Sequence, residues 1–321
     1  MNSIFPSFIL TGFLPQFKNQ LSDILFMTGA SDNHSLGSFN CLYSILLANP
    51  FSSLMYIDYG LSSHSLSILA AHFDTLHQIQ TKLHSDGFLA YRKYNWNAFP
   101  SWMHLTEPRN RGGYSWKMIA VYDAFFEWKG FLSWMDGGNI IVDGVSREIT
   151  AARHYGIFSP PSQDTIGKWV HKDMRLFALR HKFIRSSKKK YPMASGGVLF
   201  IDYAKPITHQ FMEMLVECCY TQQCVAPKKA SIVDHRQDQS ILTLLLHEFR
   251  IPRSASEEFN YHPSLRNDGD NKVNMTLPIL ENLMIALKDT YHIDFTNRFV
   301  NVSGKEFKKI RLLWLSRPID I

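Results

Sequence analysis

Residues 130–144, GFLSWMDGGNIIVDG, drive an apolar run into Asp136, then two glycines, Asn139 and a second apolar run. A carboxylate in a core must be paired or hydrogen-bonded. An acid at the end of a hydrophobic strand therefore suits a phosphate-bearing ligand or a metal better than packing. Glycines beside it let such a ligand come close to the main chain. Asp32 in TGASDNH and Asp58 in YIDYG also follow apolar runs, so three acids would share one rim. Asp238, between Gln237 and Gln239, stands on the first turn of an expected helix. Lys117 and Arg111 flank the entry to another, where free backbone N–H groups and the helix dipole favour an anion.

Each of these residues also has a structural reading. Asp32 and Asn33 are favoured turn residues, and Asp58 can cap the helix that follows it. Lys117 can face solvent from an amphipathic helix. Asp234 or Asp238 can cap a helix, and glycines entering a strand can mark a bulge.

The elements that must position these groups alternate. Residues 22–31 read as a buried strand, 35–48 as a helix, 52–60 as a strand, 64–82 as a helix and 86–94 as a strand. Such alternation produces a parallel sheet with crossover helices, whose ligands sit at the carboxyl ends of the strands. Residues 95–113, with Pro100, Pro108 and a glycine pair, are irregular, and a connection of that length is usually functional or mobile. A helix follows at 115–129, with Met118, Val121, Tyr122, Phe125 and Phe126 on one face and Gly130 as its stop. Beyond the central strand, 146–155 reads as a helix, 155–160 as a strand, 162–180 as one amphipathic helix and 195–203 as a strand. Helices are expected at 207–222, 235–249 and 278–288. No internal repeat or low-complexity linker interrupts the chain.

The 321 residues are 45% hydrophobic and 19% charged, enough apolar material for one large domain or two joined lobes. Aromatics reach 13%, which suits a generous core or stacking surfaces. The net charge is +6, and RHKFIRSSKKK at 180–190 holds much of the positive charge. That run is either a solvated basic loop or a patch that attracts an anionic ligand or polymer. Aromatic interleaving is sparse and no nucleic-acid motif occurs, so a nucleic-acid partner is not expected. No apolar run is long enough to span a bilayer. The start, MNSIFPSFILTGFLPQF, lacks a basic n-region and is broken by Pro6 and Pro15, a weak signal peptide. Cys224 can bridge to Cys218 or Cys219, and the ECCYTQQC spacing matches no zinc pattern. Sequons begin at Asn33, Asn274 and Asn301, a number chance supplies.

Four stretches in order, TGASDNH (28–34), YSWKMIAVYDAF (114–125), LSWMDGGNII (132–141) and HRQDQSIL (235–242), resemble the nucleotide-sugar glycosyltransferases of GT-A fold. More narrowly, they are similar to a poorly characterised eukaryotic branch. SGGVLFID (195–202) and CVAP (224–227) fit the same pattern, and the resemblance spans roughly residues 22–265. It implies an α/β fold with a mixed, mostly parallel, Rossmann-like central sheet flanked by helices, in a single domain of two lobes. The divisions expected are a tail at 1–20, a nucleotide-binding lobe at 21–145, an acceptor and sugar lobe at 146–275 and an extension at 276–321.

The resemblance also implies roles. Thr28, Gly29, Ala30 and Ser31 would lie under base and ribose, with Asp32 or Asn33 bonding the nucleotide and Asp58 taking a ribose hydroxyl. Lys117 and Arg111 would face the phosphates, with Gly137 and Gly138 beneath them. Ser195, Gly196, Gly197 and Gln239 would bound the sugar pocket. Asp238 would contact the donor sugar or act as base, and His235 and Arg236 would add charge or face solvent. Asp136 matches the first acid of the family's Asp-x-Asp signature, which holds a divalent cation, Mn2+ or Mg2+, against the diphosphate. The second acid is here Gly138. Asn139, Asp143 reaching back, and a late His262 are the remaining candidate ligands. The implied function is transfer of a sugar from a nucleoside diphosphate sugar, UDP foremost, to a hydroxyl on a glycan, protein or lipid. The setting implied is the secretory pathway or Golgi lumen, although the chain shows no convincing anchor. The missing acid supports a rival, a non-catalytic domain of the same fold that binds glycan or nucleotide or acts as a scaffold.

Overall fold

The computed structural model describes residues 24–83, 85–107, 111–141, 145–252 and 265–267. His262, Asp143, the expected 278–288 helix and both terminal segments lie outside these residues. Strand β1 (Ile24–Ala30) is apolar along most of its length because both faces of its sheet are covered. Helix α1 (Ser35–Ala48) leads to β2 (Ser53–Asp58), and α2 (Ser63–Lys82) to β3 (Leu89–Lys93). Helix α3 (Ser115–Trp128) then returns the chain to β4 (Phe131–Met135) on the other side of β1. Next come β5 (Asn139–Ile141), α4 (Ser146–Tyr155), β6 (Ile157–Phe158), β7 (Pro161–Thr165), α5 (Ile166–Trp169) and α6 (Lys172–Arg180). Strands β8 (Pro192–Ala194) and β9 (Val198–Asp202) precede α7 (Pro206–Cys219), α8 (Gln222–Val225), α9 (Gln237–Glu248) and β10 (Leu265–Asn267).

The main sheet runs β3-β2-β1-β4-β9-β6. Its first three pairings are parallel, and β9 is antiparallel to both β4 and β6. This is the mixed, mostly parallel sheet expected from the sequence. One face buries Phe125, Phe211 and Leu245 of α3, α7 and α9; the other buries Phe39, Leu76 and Ala152 of α1, α2 and α4. Among the described residues no helix is long and apolar enough to cross a membrane.

The single helix expected at 162–180 is instead β7, α5 and α6. Residues 161–165 pair antiparallel with β8, Asp164 adopts a left-handed φ of 66°, and Val170 is extended. A new helix starts only where the His171 ring accepts the Asp173 amide at 3.2 Å. Strand pairing outweighs the apolar spacing of that stretch. Of the two bridges open to Cys224, the one to Cys218 forms, and Cys219 stays a buried thiol. Helix α3 ends at Trp128, one residue short of the expected 129, with Lys129 as the left-handed cap at φ 54°.

Asp123 on α3 is partly buried near Arg92 of β3, which pairs with Glu127 one turn along. Burial pushes its pKa up to about 7, with Arg92 opposing and Glu127 reinforcing the rise. A carboxyl raised by folding stabilises fully below its unfolded value of 3.8 and loses that contribution as pH climbs toward 7. Asp123→Asn should therefore gain thermal stability relative to wild type as pH rises across this window. A constant Tm difference between the two proteins would refute the assignment.

Candidate functional site

Because α3 carries β4 to the opposite side of β1 from β2, the loops leaving β1 and β4 diverge. In open α/β sheets that reversal opens a crevice at the carboxyl ends of the strands. Here the crevice is a cleft of about 1400 Å³. At its floor the Lys117 ammonium meets three acceptors: the Gly196 carbonyl at 2.8 Å, Asp238 Oδ2 at 2.8 Å and Asp136 Oδ1 at 3.2 Å. The contact with Asp238 is an ion pair in the interior, since that residue is only 4% exposed. Asp136 Oδ1 also accepts the Trp134 indole N–H at 2.7 Å. Its side chain remains 45% exposed, and none of the described residues hydrogen-bonds Oδ2.

Burial pushes Asp238 up to about 6, with Lys117 opposing the rise and Asp136 adding repulsion. For Lys117, burial disfavours the charge, but the two carboxylates outweigh it and hold the ammonium above its ordinary value.

A strained entry sets Lys117 in place. Arg111, Gly112, Gly113 and Tyr114 all have left-handed backbones, with φ from 50° to 67°. Single non-glycine residues in that region cost about 1 kcal/mol or more, so the turn persists only because it is over-determined. The Trp116 indole bonds the Arg111 carbonyl at 3.1 Å. A Cβ on Gly112 would fall 1.9 Å from the Met103 carbonyl oxygen. Lys117 then lies on the first turn of α3, beneath the end of β4.

Most of the sequence-derived candidates line this cleft: Gly29, Ala30, Ser31 and Asp32 at the end of β1; Arg111 and Lys117 at α3; Asp136, Gly137, Gly138 and Asn139 after β4. Ser195, Gly196 and Gly197 between β8 and β9, and Asp238 and Gln239 on α9, complete the set. Thr28 and Asp58 are corrections. Thr28 is fully buried inside β1 and does not reach the cleft. Asp58 accepts the Gly60 and Leu61 amides at 2.7 and 2.6 Å and the Tyr91 hydroxyl at 2.6 Å, so it braces a turn. Asp32 lies at the rim, where its Oδ1 accepts the Ser62 amide at 2.9 Å. His235 is also structural: it is buried, held by the Val225 carbonyl and Ser240, and burial pushes its pKa down to about 4. Arg236 reaches the rim, stacked on Trp169 at 4.0 Å.

Sequence reading missed the aromatic wall, Tyr59, Trp96, Tyr114, Trp116 and Trp134. The irregular 95–113 segment pointed to it by position; the residues that line the wall follow only from the packing.

For a divalent cation the described residues supply little. Asn139 spends its amide N–H on the Gly197 carbonyl at 2.9 Å, leaving its oxygen and the free oxygen of Asp136 as donors. An ammonium already sits 3.2 Å from that carboxylate. No cluster of three His, Cys, Asp or Glu forms among the described residues. This donor set falls short of a hard-cation site.

No family model and no curated protein matches the chain. Solved structures do. The bifunctional glycosyltransferase WbbM aligns with a TM-score of 0.50 at 11% identity, over 89% of this chain and 54% of its own. The fold is the GT-A glycosyltransferase fold. The chain thus spans about half the length of WbbM. The galactosyltransferase LgtC, solved with donor and acceptor sugar analogues, aligns with a TM-score of 0.43 at 12% identity, over 81% of this chain and 95% of its own. Core-mannan synthase A of Aspergillus fumigatus, solved with manganese and GDP, aligns at 0.44 and 8% identity over 71% and 70%.

Within this GT-A cleft, removing the ammonium strands a buried carboxylate. Lys117→Met should cost roughly 3 kcal/mol at pH 8 and less at pH 5, where Asp238 takes up a proton. Adding Asp238→Asn should restore part of the loss. Denaturation at the two pH values reads this out, and a pH-independent loss would contradict it.

Proposed function

We propose that the chain is a glycosyltransferase that moves a sugar from a nucleoside diphosphate sugar, with UDP as the nucleotide, to a hydroxyl on a glycan, protein or lipid. The observation that carries this reading is the buried Lys117, held between Asp136 and Asp238 where the floor opens to the cleft. A buried ion pair is weak as a stabiliser, so a charge cluster facing a large cleft is better explained by what it does there.

Departure of the diphosphate develops negative charge, which preorganised cations and N–H groups stabilise. The ammonium of Lys117 starts fully engaged with protein acceptors. Its longest contact, 3.2 Å to Asp136, is the one to exchange for a diphosphate oxygen. Arg111 and Arg236 add two cations at the rim. Three acids, Asp32, Asp136 and Asp238, balance these three cations, so the diphosphate settles on the Lys117 and arginine side. The carboxylates are left for sugar hydroxyls. Asp238, with a pKa of about 6, is ionised at neutral pH and takes a hydrogen bond or a proton from the reacting hydroxyl. Trp96 and Tyr114, both half-buried, offer ring faces to base or sugar.

The second reading is a nucleotide- or glycan-binding domain without turnover. It is favoured by Gly138 in the second acidic position and by the saturation of Lys117. Titration with UDP and assay of UDP-sugar hydrolysis separate the two. An enzyme should hydrolyse a UDP-sugar and lose roughly a hundredfold or more of that rate in Asp238→Asn with UDP affinity little changed. Binding with no turnover by the wild type favours the second reading. Affinity for UDP in EDTA should stay within about tenfold of that in Mn2+; a larger drop would show that a cation is required.

A further inference from the structure

The basic run lies on a flank that the cleft does not use. Residues 166–190 carry nine lysines and arginines against one aspartate, a net +8, so the rest of the chain is slightly acidic. Phe183 and Ile184 are buried within that run and pin it to the domain, leaving Lys188, Lys189 and Lys190 exposed. A solvated loop accounts for the lysines, but not for the apolar side chains that share the flank. On α6, Leu176 and Leu179 are one turn apart and 47% and 36% exposed. Ile232 and Val233, at 62% and 79%, are the most exposed large apolar residues described.

These two sit at the tip of a constructed turn. The Asp234 amide bonds the Ser231 carbonyl at 3.2 Å, and Asp234 Oδ1 accepts the Ser231 amide at 2.9 Å. Central turn positions normally hold polar residues or glycine; here both are β-branched and apolar, with Lys228 and Lys229 exposed just before them. The turn is tied to the start of α6, since the His171 amide bonds the His235 ring at 3.4 Å and the His171 ring lies 3.7 Å from Asp234.

We propose that this flank docks on an anionic phospholipid surface, with Ile232 and Val233 inserted at the headgroup level and α6 lying along it. The chemistry is that of an interfacial site: a few apolar side chains enter the acyl boundary while a polybasic surround meets acidic headgroups. Charge alone would serve a soluble polyanion equally well. The rigidly presented apolar tip decides for a bilayer. This docking stands independently of glycosyl transfer, because none of its apolar residues lines the cleft.

Co-sedimentation of the whole chain with phosphatidylcholine vesicles, with and without phosphatidylserine, tests it. Binding should require phosphatidylserine and weaken with salt. Replacing Lys188, Lys189 and Lys190 with serine should reduce it roughly a hundredfold. Ile232→Ser with Val233→Ser should reduce it roughly tenfold while leaving affinity for heparin unchanged. Absence of phosphatidylserine-dependent binding would overturn the proposal. So would undiminished vesicle binding by the Ile232/Val233 variant, which would make the surface a site for soluble anionic polymers. All these positions are exposed, so folding should survive, and an unchanged Tm verifies it.

Discussion

A lysine ammonium in a protein interior is tolerated only where acceptors converge on it, and Lys117 imposes that condition on four separate parts of the chain. The strained turn at 111–114 must deliver it, the end of β4 must present Asp136, and the link between β8 and β9 must turn the Gly196 carbonyl inward. The first turn of α9 must bring Asp238. Losing any one of these leaves charge without a partner in a poorly solvated place, an expensive state. The ion cluster therefore ties together segments more than a hundred residues apart in sequence, and it does so at the floor of the crevice that the sheet topology opens.

The glycines around the cluster work toward the same end. A Cβ on Gly137 would come 2.8 Å from Ser38 Cβ, one on Gly196 would meet Gln239 Cβ at 2.8 Å, and one on Gly197 would meet Asp136 Oδ2 at 3.0 Å. The space beside these glycines is thus already filled by α1, α9 and the carboxylate itself. Their missing side chains let protein segments close on one another, and the ligand reading of these glycines concerns only the faces that remain toward the cleft.

Much of the fold was legible because its signals are local. The buried runs of β1, β2 and β4 and the apolar spacing of α1, α2 and α3 announce their elements, and the acids at strand ends mark the rim. What failed was decided by contacts distant in sequence. Asp58 ends an apolar run as Asp136 does, yet Tyr91, on the neighbouring strand, and two turn amides consume it. The helical spacing at 162–180 yielded to pairing with β8. The partnership of Lys117 with Asp238 joins residues whose sequence separation hides their contact, although both had been singled out separately.

The glycine at position 138 and the internal ammonium also make sense together. With the acid and cation charges of the cleft in balance, a further carboxylate at 138 would leave it net negative, and an approaching diphosphate would be repelled unless a bound cation restored neutrality. On the proposed function, an arrangement that gives up the second acid would not need that cation to stay neutral. Lys117, already charged and held in position, then serves as the positive group nearest the floor. Its strength is limited by its own partners, since any bond to a phosphate oxygen must replace one to the protein. The 3.2 Å contact with Asp136 is the longest of the three. Asp136 is also the one partner that is half exposed, so releasing it strands no charge in the interior, whereas releasing Asp238 would. On the proposed function the exchange falls to the carboxylate at the end of β4, with Asp238 staying fixed.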